Sequence, residues 1–158
     1  MIKKEILAYL AGAVDSDGTI GIKKSTYAMR HNNGGGATYS ERVALRQVTP
    51  EIPNLLHKTF HGALYMTKPS AKMGRQLYSW AVTDIRAVSC LSVLLPFLRV
   101  KSDQARNCLA LRVVKNRSKK VRVAFGRGHV GAAARPMRIT ERMDAFYIRA
   151  KTLNRVGV

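Results

Sequence analysis

Near the N-terminus the apolar residues change period within a few positions, and that change limits the fold more than any other feature of the chain. From Ile2 to Val14 they follow a helix: Leu7, Leu10 and Val14 share one stripe, and Ala8, Ala11, Gly12 and Ala13 are small. From Gly18 the period is two. Ile20 and Ile22 point one way, and Thr19, Gly21, Lys23, Ser25 and Tyr27 point the other. The pattern predicts a strand as far as Arg30, a turn over "HNNGGGAT", and a returning strand "YSERVALRQ". In that second strand Val43 and Leu45 face inward, and Ser40, Arg42, Ala44 and Arg46 face outward. The result is a long hairpin with one apolar and one polar, basic side.

The arrangement then recurs. Thr49 as N-cap and Pro50 at the first helical position begin a short helix that ends before Gly62. "ALYMTK" and "RQLYSWAV" form a second hairpin around "PSAKMG", followed by a helix from Asp84 to Leu94 that Pro96 stops. A further helix starts near Ser102 or Asp103. Residues 115–135 are basic and glycine-rich and read as a loop. A last helix over about 137–154 carries Met143, Phe146, Tyr147, Ala150 and Leu153 on one face, so it packs back onto the body. The expectation is an α+β fold in which helices cover one face of a four-stranded antiparallel sheet, with C-terminal helices added. A chain of 158 residues with 46% apolar content suits a single domain.

Charge points to the partner. Against 28 Lys and Arg there are 9 Asp and Glu, a formal net charge of +19, which suggests a polyanion. An open sheet face carrying Lys23, Arg42, Arg46 and Arg75 is most simply explained by nucleic acid lying on it. A strand of 12 residues from Thr19 to Arg30 spans roughly 40 Å, about one turn of duplex DNA. A two-stranded ribbon fits the major groove, where base pairs are distinguishable. No apolar run is long enough to span a bilayer, so no membrane partner is expected. The N-terminal stretch superficially resembles a signal peptide, but Glu5 interrupts it and it ends in aspartates; the expected location is intracellular, with the DNA. Cys90 and Cys108 read as reduced core residues. His57 and His61 lack a third zinc ligand, and "GRGHVGAAAR" lacks a phosphate-loop lysine, so no small-molecule cofactor is expected.

Against this background "LAGAVDSDG", Leu10 to Gly18, closely resembles the LAGLIDADG motif of homing endonucleases, departing from it at Ala13, Val14 and Ser16. The αββαββα order matches that family's core. "LLPFLRVKSDQA", Leu94 to Ala105, resembles the segment after its last core helix. The resemblance covers about residues 3–113, and the single motif places it in the homodimeric branch.

The resemblance implies a site-specific endonuclease that cuts a palindromic or near-palindromic double-stranded DNA target by metal-dependent phosphodiester hydrolysis, leaving 3′ overhangs. Motif helices of two subunits would pack side by side through Leu7, Ala8, Ala11, Gly12 and Asp15, and Gly12, which costs about 1 kcal/mol in a helix, would allow close approach. Asp17 and the Gly18 backbone would hold Mg²⁺, with Mn²⁺ substituting and Ca²⁺ binding without cleavage. Asp15 would cap or orient the helix end. Gln47 would position water, although another register puts Pro50 there. Lys101 would stabilise the transition state or lower the pKa of the attacking water, or else contact a phosphate. Glu51 sits where a second basic catalytic residue is expected. DNA contacts fall to Lys23, Ser25, Tyr27, Ser40, Arg42, Ala44 and Arg46, and more weakly to Tyr65, Thr67, Arg75 and Gln76. An RNA maturase assisting intron splicing and a catalytically silent DNA-binding regulator are the competing functions on this fold.

Overall fold

A computed structural model describes residues 2–27, 36–67, 69, 74–124 and 137–156. Helix α1 (Lys4–Asp17) runs directly into β1 (Gly18–Tyr27), and β2 (Gly36–Gln47) returns beside it. Helix α2 (Glu51–Phe60) leads to β3 (Ala63–Thr67) and β4 (Leu77–Thr83). Helices α3 (Ile85–Leu94), α4 (Ser102–Ala124) and α5 (Met137–Val156) complete the order. The α+β, αββαββα arrangement is therefore as the periodicity predicts, with two helices added.

The four strands form one antiparallel sheet in the order β1-β2-β4-β3. The register pairs Ile20 with Val43, and Val43 with Val82; Leu45 pairs with Trp80. These side chains are buried on one face, against Leu7, Leu10 and Val14 of α1 and Leu91 and Leu94 of α3. The same register leaves Thr19, Lys23, Ser25, Arg42 and Arg46 exposed on the other face. α5 packs along the β1 edge through buried Met143 and Ala150 and half-buried Phe146, Tyr147 and Leu153, the face expected of it.

Four local expectations are corrected. Pro50, not Thr49, is the N-cap of α2: its φ of −82° and ψ of −14° are already helical, and its carbonyl accepts the first helical bond from the Asn54 amide at 2.9 Å. The proline ring fixes that φ, so no threonine side-chain cap is needed. β4 begins at Leu77, leaving Arg75 and Gln76 before the strand. α4 continues to Ala124 where a loop was expected from Lys115. Lys115 is drawn inward by Glu41 and Asp84, at 3.1 and 2.9 Å, and Ser118 is buried. Tertiary contacts thus hold the helix through a basic sequence with little intrinsic pattern. Leu7 and Ala11, expected on a contact face of α1, lie in the chain's own core. The exposed side of that helix is Glu5, Ala8, Tyr9, Gly12 and Ser16. The expected strand residues 28–30 and loop residues 125–135 lie outside the described residues. Among the described residues no helix is long and apolar enough to cross a membrane.

Candidate active site

The C-terminal end of α1 carries two carboxylates and no basic residue in its last turn. The negative end of a helix disfavours such groups, by about 0.3–1 kcal/mol each, so each needs a partner. Asp15 has several. Its Oδ2 accepts from the backbone amides of Arg99 and Val100 at 2.6 and 3.2 Å, and its Oδ1 accepts from that of Lys101 at 2.9 Å. Lys101 answers in the other direction. Its Nζ donates to the carbonyls of Val14, Asp15 and Ser16 at 3.0, 2.6 and 3.3 Å, capping the helix. This reciprocal clasp ties the end of α1 to the turn that starts α4. Burial pushes the Lys101 ammonium below its ordinary pKa, and the Asp15 and Asp17 charges pull it partly back. All three ammonium donors point at carbonyl oxygens, so Lys101 stands as a helix cap in this arrangement.

Asp17 is different. It is exposed and makes no ion pair among the described residues; its Oδ2 accepts one bond, from Gln47 Nε2 at 2.8 Å. Gln47, at the end of β2, thus meets the motif carboxylate, whereas Pro50 is occupied as the α2 cap. Gln47 Oε1 is buried with no hydrogen-bond partner. Gly18 makes the helix-to-strand change possible: a Cβ there would lie 2.6 Å from the Val14 carbonyl oxygen and 2.8 Å from its Cα. Any larger residue would push the start of β1 away from the last turn of α1 and disturb the Asp17 end of the helix.

Asp17 opens onto a concavity of the sheet shared with Thr19, Arg42, Ala44, Arg46 and Tyr65. Arg46 Nε donates to Ser79 Oγ at 3.1 Å, which holds its guanidinium low over the sheet. Lys23, Ser25, Arg42, Tyr65 and Arg75 are exposed; Ser40, Ala44, Thr67 and Gln76 are half-buried. Thr67 Oγ1 donates to the Leu77 carbonyl at 3.0 Å. Tyr27 ends β1, and its side chain lies outside the described residues. The expected contact residues therefore fall on one side of the sheet or at its β3–β4 end.

Sequence reasoning missed a buried ionic cluster behind the sheet. Glu41 faces the interior, where Arg112 and Lys115 of α4 reach it and also pair with Asp84. Burial pushes the Asp84 carboxyl up, but the hydrogen bonds from Arg112 and Lys115 outweigh it and hold it at about 2. The signal was in the alternation: Glu41 has the inward parity of Tyr39 and Val43. Also missed was the binding of α5 to β1. Asp144 accepts from both Lys24 Nζ and Tyr39 Oη, at 2.5 and 2.6 Å. Lys24 has the inward parity that Ile20 and Ile22 set, so its position announced such a pairing.

No protein-family model matches the chain, and no curated protein matches it. Solved structures do. An archaeal intron-encoded homing endonuclease complexed with DNA superposes with a TM-score of 0.62 at 12% identity, covering 93% of this chain and 82% of that chain. The homing endonuclease I-CvuI, solved in complex with the I-CreI target, gives 0.57 at 17% identity, with 93% and 90% covered. The homing endonuclease I-TnaI gives 0.52 at 15% identity, with 100% of both chains covered. The chain has the fold of the LAGLIDADG homing endonucleases.

Proposed function

We propose that this chain is a site-specific double-strand DNA endonuclease that cuts by metal-dependent phosphodiester hydrolysis. One observation carries the reading. In a chain of net charge +19, the exposed carboxylate of Asp17 makes no ion pair among the described residues, accepts one hydrogen bond from the Gln47 amide and opens onto the basic concavity of the sheet. A phosphate lying on that face would meet it as like charge to like charge, so the placement makes sense when a divalent cation joins the two. The fold likeness supports the choice of DNA, as do the basic side chains around Asp17.

Mg²⁺ suits these donors, with Mn²⁺ substituting and Ca²⁺ binding without cleavage. It prefers hard oxygen ligands, keeps several waters, and needs only one or two carboxylates when a phosphate completes the shell. Among the described residues no three His, Cys, Asp or Glu come together to hold a metal alone. The fit is therefore to a site finished by DNA, with Asp17 and the Gly18 backbone as the chain's ligands. A bound divalent ion supplies an activated water and a counter-charge for the leaving oxygen. Gln47 fixes the Asp17 carboxylate through Nε2 and has Oε1 left to accept a hydrogen bond from the attacking water and so orient it. Asp15 and Lys101 act as positioning residues through the clasp. The sheet face then holds the duplex, with Arg42 and Arg46 nearest the cutting site.

The working form in this reading is a homodimer in which α1 of each copy meets the other, bringing one Asp17 to each strand. The outward Ala8, Gly12 and Ser16 support it. A Cβ on Gly12 meets nothing within 4 Å in its own chain, so no contact within the chain requires glycine there. A two-fold assembly implies a palindromic or near-palindromic target. The test is cleavage of a randomised duplex library with Mg²⁺ beside a Ca²⁺ control. Recovery of one two-fold-symmetric cut site, with Mg²⁺ only, is expected. Sequence-specific binding in both metals without cutting would overturn the endonuclease and favour a regulator or maturase.

A further inference from the structure

We infer that Asn154, in the last turn of α5, reads a base edge of the bound DNA, with Lys151 contacting phosphate beside it. The inference rests on the proposed DNA-binding face and extends it beyond the sheet to a helix. Gly21 has the outward parity of Thr19 and Lys23 and pairs with Arg42 in the register. A Cβ added to Gly21 would lie 3.3 Å from Asn154 Nδ2. The end of α5 therefore reaches around the β1 edge, and the asparagine amide lies close against the side of β1 that Gly21 leaves bare. Lys23, Arg42, Lys151 and Asn154 line one groove there.

Three further facts favour a reading role over a packing role. Asn154 is exposed, and its side-chain amide has no hydrogen-bond partner among the described residues. Its backbone is firmly placed: Gln104 Nε2 donates to the Leu153 carbonyl at 3.3 Å, Asn107 Nδ2 to that of Phe146 at 2.9 Å, and Ala150 one turn earlier is buried. An amide on a rigid helix has the precision that base recognition needs. Asparagine's paired donor and acceptor match the N6 and N7 edge of adenine. Lys151, whose Nζ lies 5.0 Å from the Tyr147 ring centroid, is a point charge suited to phosphate.

The experiment selects duplexes from a randomised library in Ca²⁺ with the wild-type chain, Asn154→Ala, Gly21→Ala and Lys151→Ala in parallel. Thermal unfolding checks that each variant remains folded. Asn154→Ala is expected to recover the wild-type site with discrimination lost about tenfold at one or two base pairs of each half-site. Gly21→Ala, whose methyl moves the amide by a few tenths of an ångström, is expected to relax the same positions by less than Asn154→Ala does. Lys151→Ala is expected to weaken all sequences alike and to lower the salt dependence by about one counterion. If the wild type selects a site and Asn154→Ala selects it with every position unchanged, the inference is overturned while the DNA-binding face stands. If the wild type selects no sequence, the reading of the face itself has failed.

Discussion

Glu41 and Asp17 are both carboxylates on the β1–β2 half of the molecule, yet their surroundings are opposite. Glu41 is fully buried, and two cations, Arg112 and Lys115, close on it and on Asp84. Asp17 is exposed beside a basic sheet face, and one glutamine amide touches it. The first carboxylate is neutralised by the chain and serves stability, anchoring the start of the basic stretch of α4 beneath the sheet. The second makes no ion pair among the described residues and opens onto the basic concavity of the sheet, and that position is what recommends it for the proposed chemistry.

The largest effects are expected at the buried carboxylate. Arg112→Leu leaves Glu41 in the interior with Lys115 alone, and is expected to cost about 3 kcal/mol in chemical denaturation. A loss under 1 kcal/mol would show that Glu41 does not depend on the chain for its counter-charge. The clasp is intermediate. Lys101→Met removes the cap from three carbonyls, and should cost about 1.5 kcal/mol while lowering cleavage, because the Asp17 end of α1 loosens. Asp17→Asn removes an exposed charge that no ion pair holds, with the Lys101 ammonium on the helix end offsetting the helix dipole, and is expected to change stability by less than about 0.5 kcal/mol in metal-free buffer. An acid effect of similar size comes from Asp84. Asp84 is held at about 2, below the ordinary ~3.9, so its contribution is complete above about pH 4 and is lost as pH falls through 2. Its carboxylate is 55% exposed, which screens the gain to about 0.5 kcal/mol. Stability measured from pH 5 to pH 2 should therefore fall more for the wild type than for Asp84→Asn.

Much of this was readable from residues. The change of period at Gly18 marks the helix–strand joint, and the alternation of Val43, Leu45 and Arg42, Arg46 sets both faces of the sheet. The meeting of Gln47 with Asp17 follows from strand parity. What escaped was set by distant contacts. Lys115 reads as part of a basic loop because nothing local shows that Glu41, 74 positions earlier, will pull it into a helix. Leu7 and Ala11 read as part of a contact face because a helix with small residues all round does not declare which side its own sheet covers. Asn154 reads as a helix end, since its proximity to Gly21 exists only after α5 has docked.

The role of Asp17 is decided by measuring binding and cutting of one recovered duplex by the wild type and by Asp17→Asn, in Mg²⁺. Loss of the metal's contribution, several kcal/mol, corresponds to roughly a thousandfold in rate. Asp17→Asn is expected to bind the duplex as well as the wild type and to cut it at least about a thousandfold more slowly. Cutting at the wild-type rate by Asp17→Asn would contradict this, because the exposed carboxylate at the end of α1 would then have no part in the chemistry.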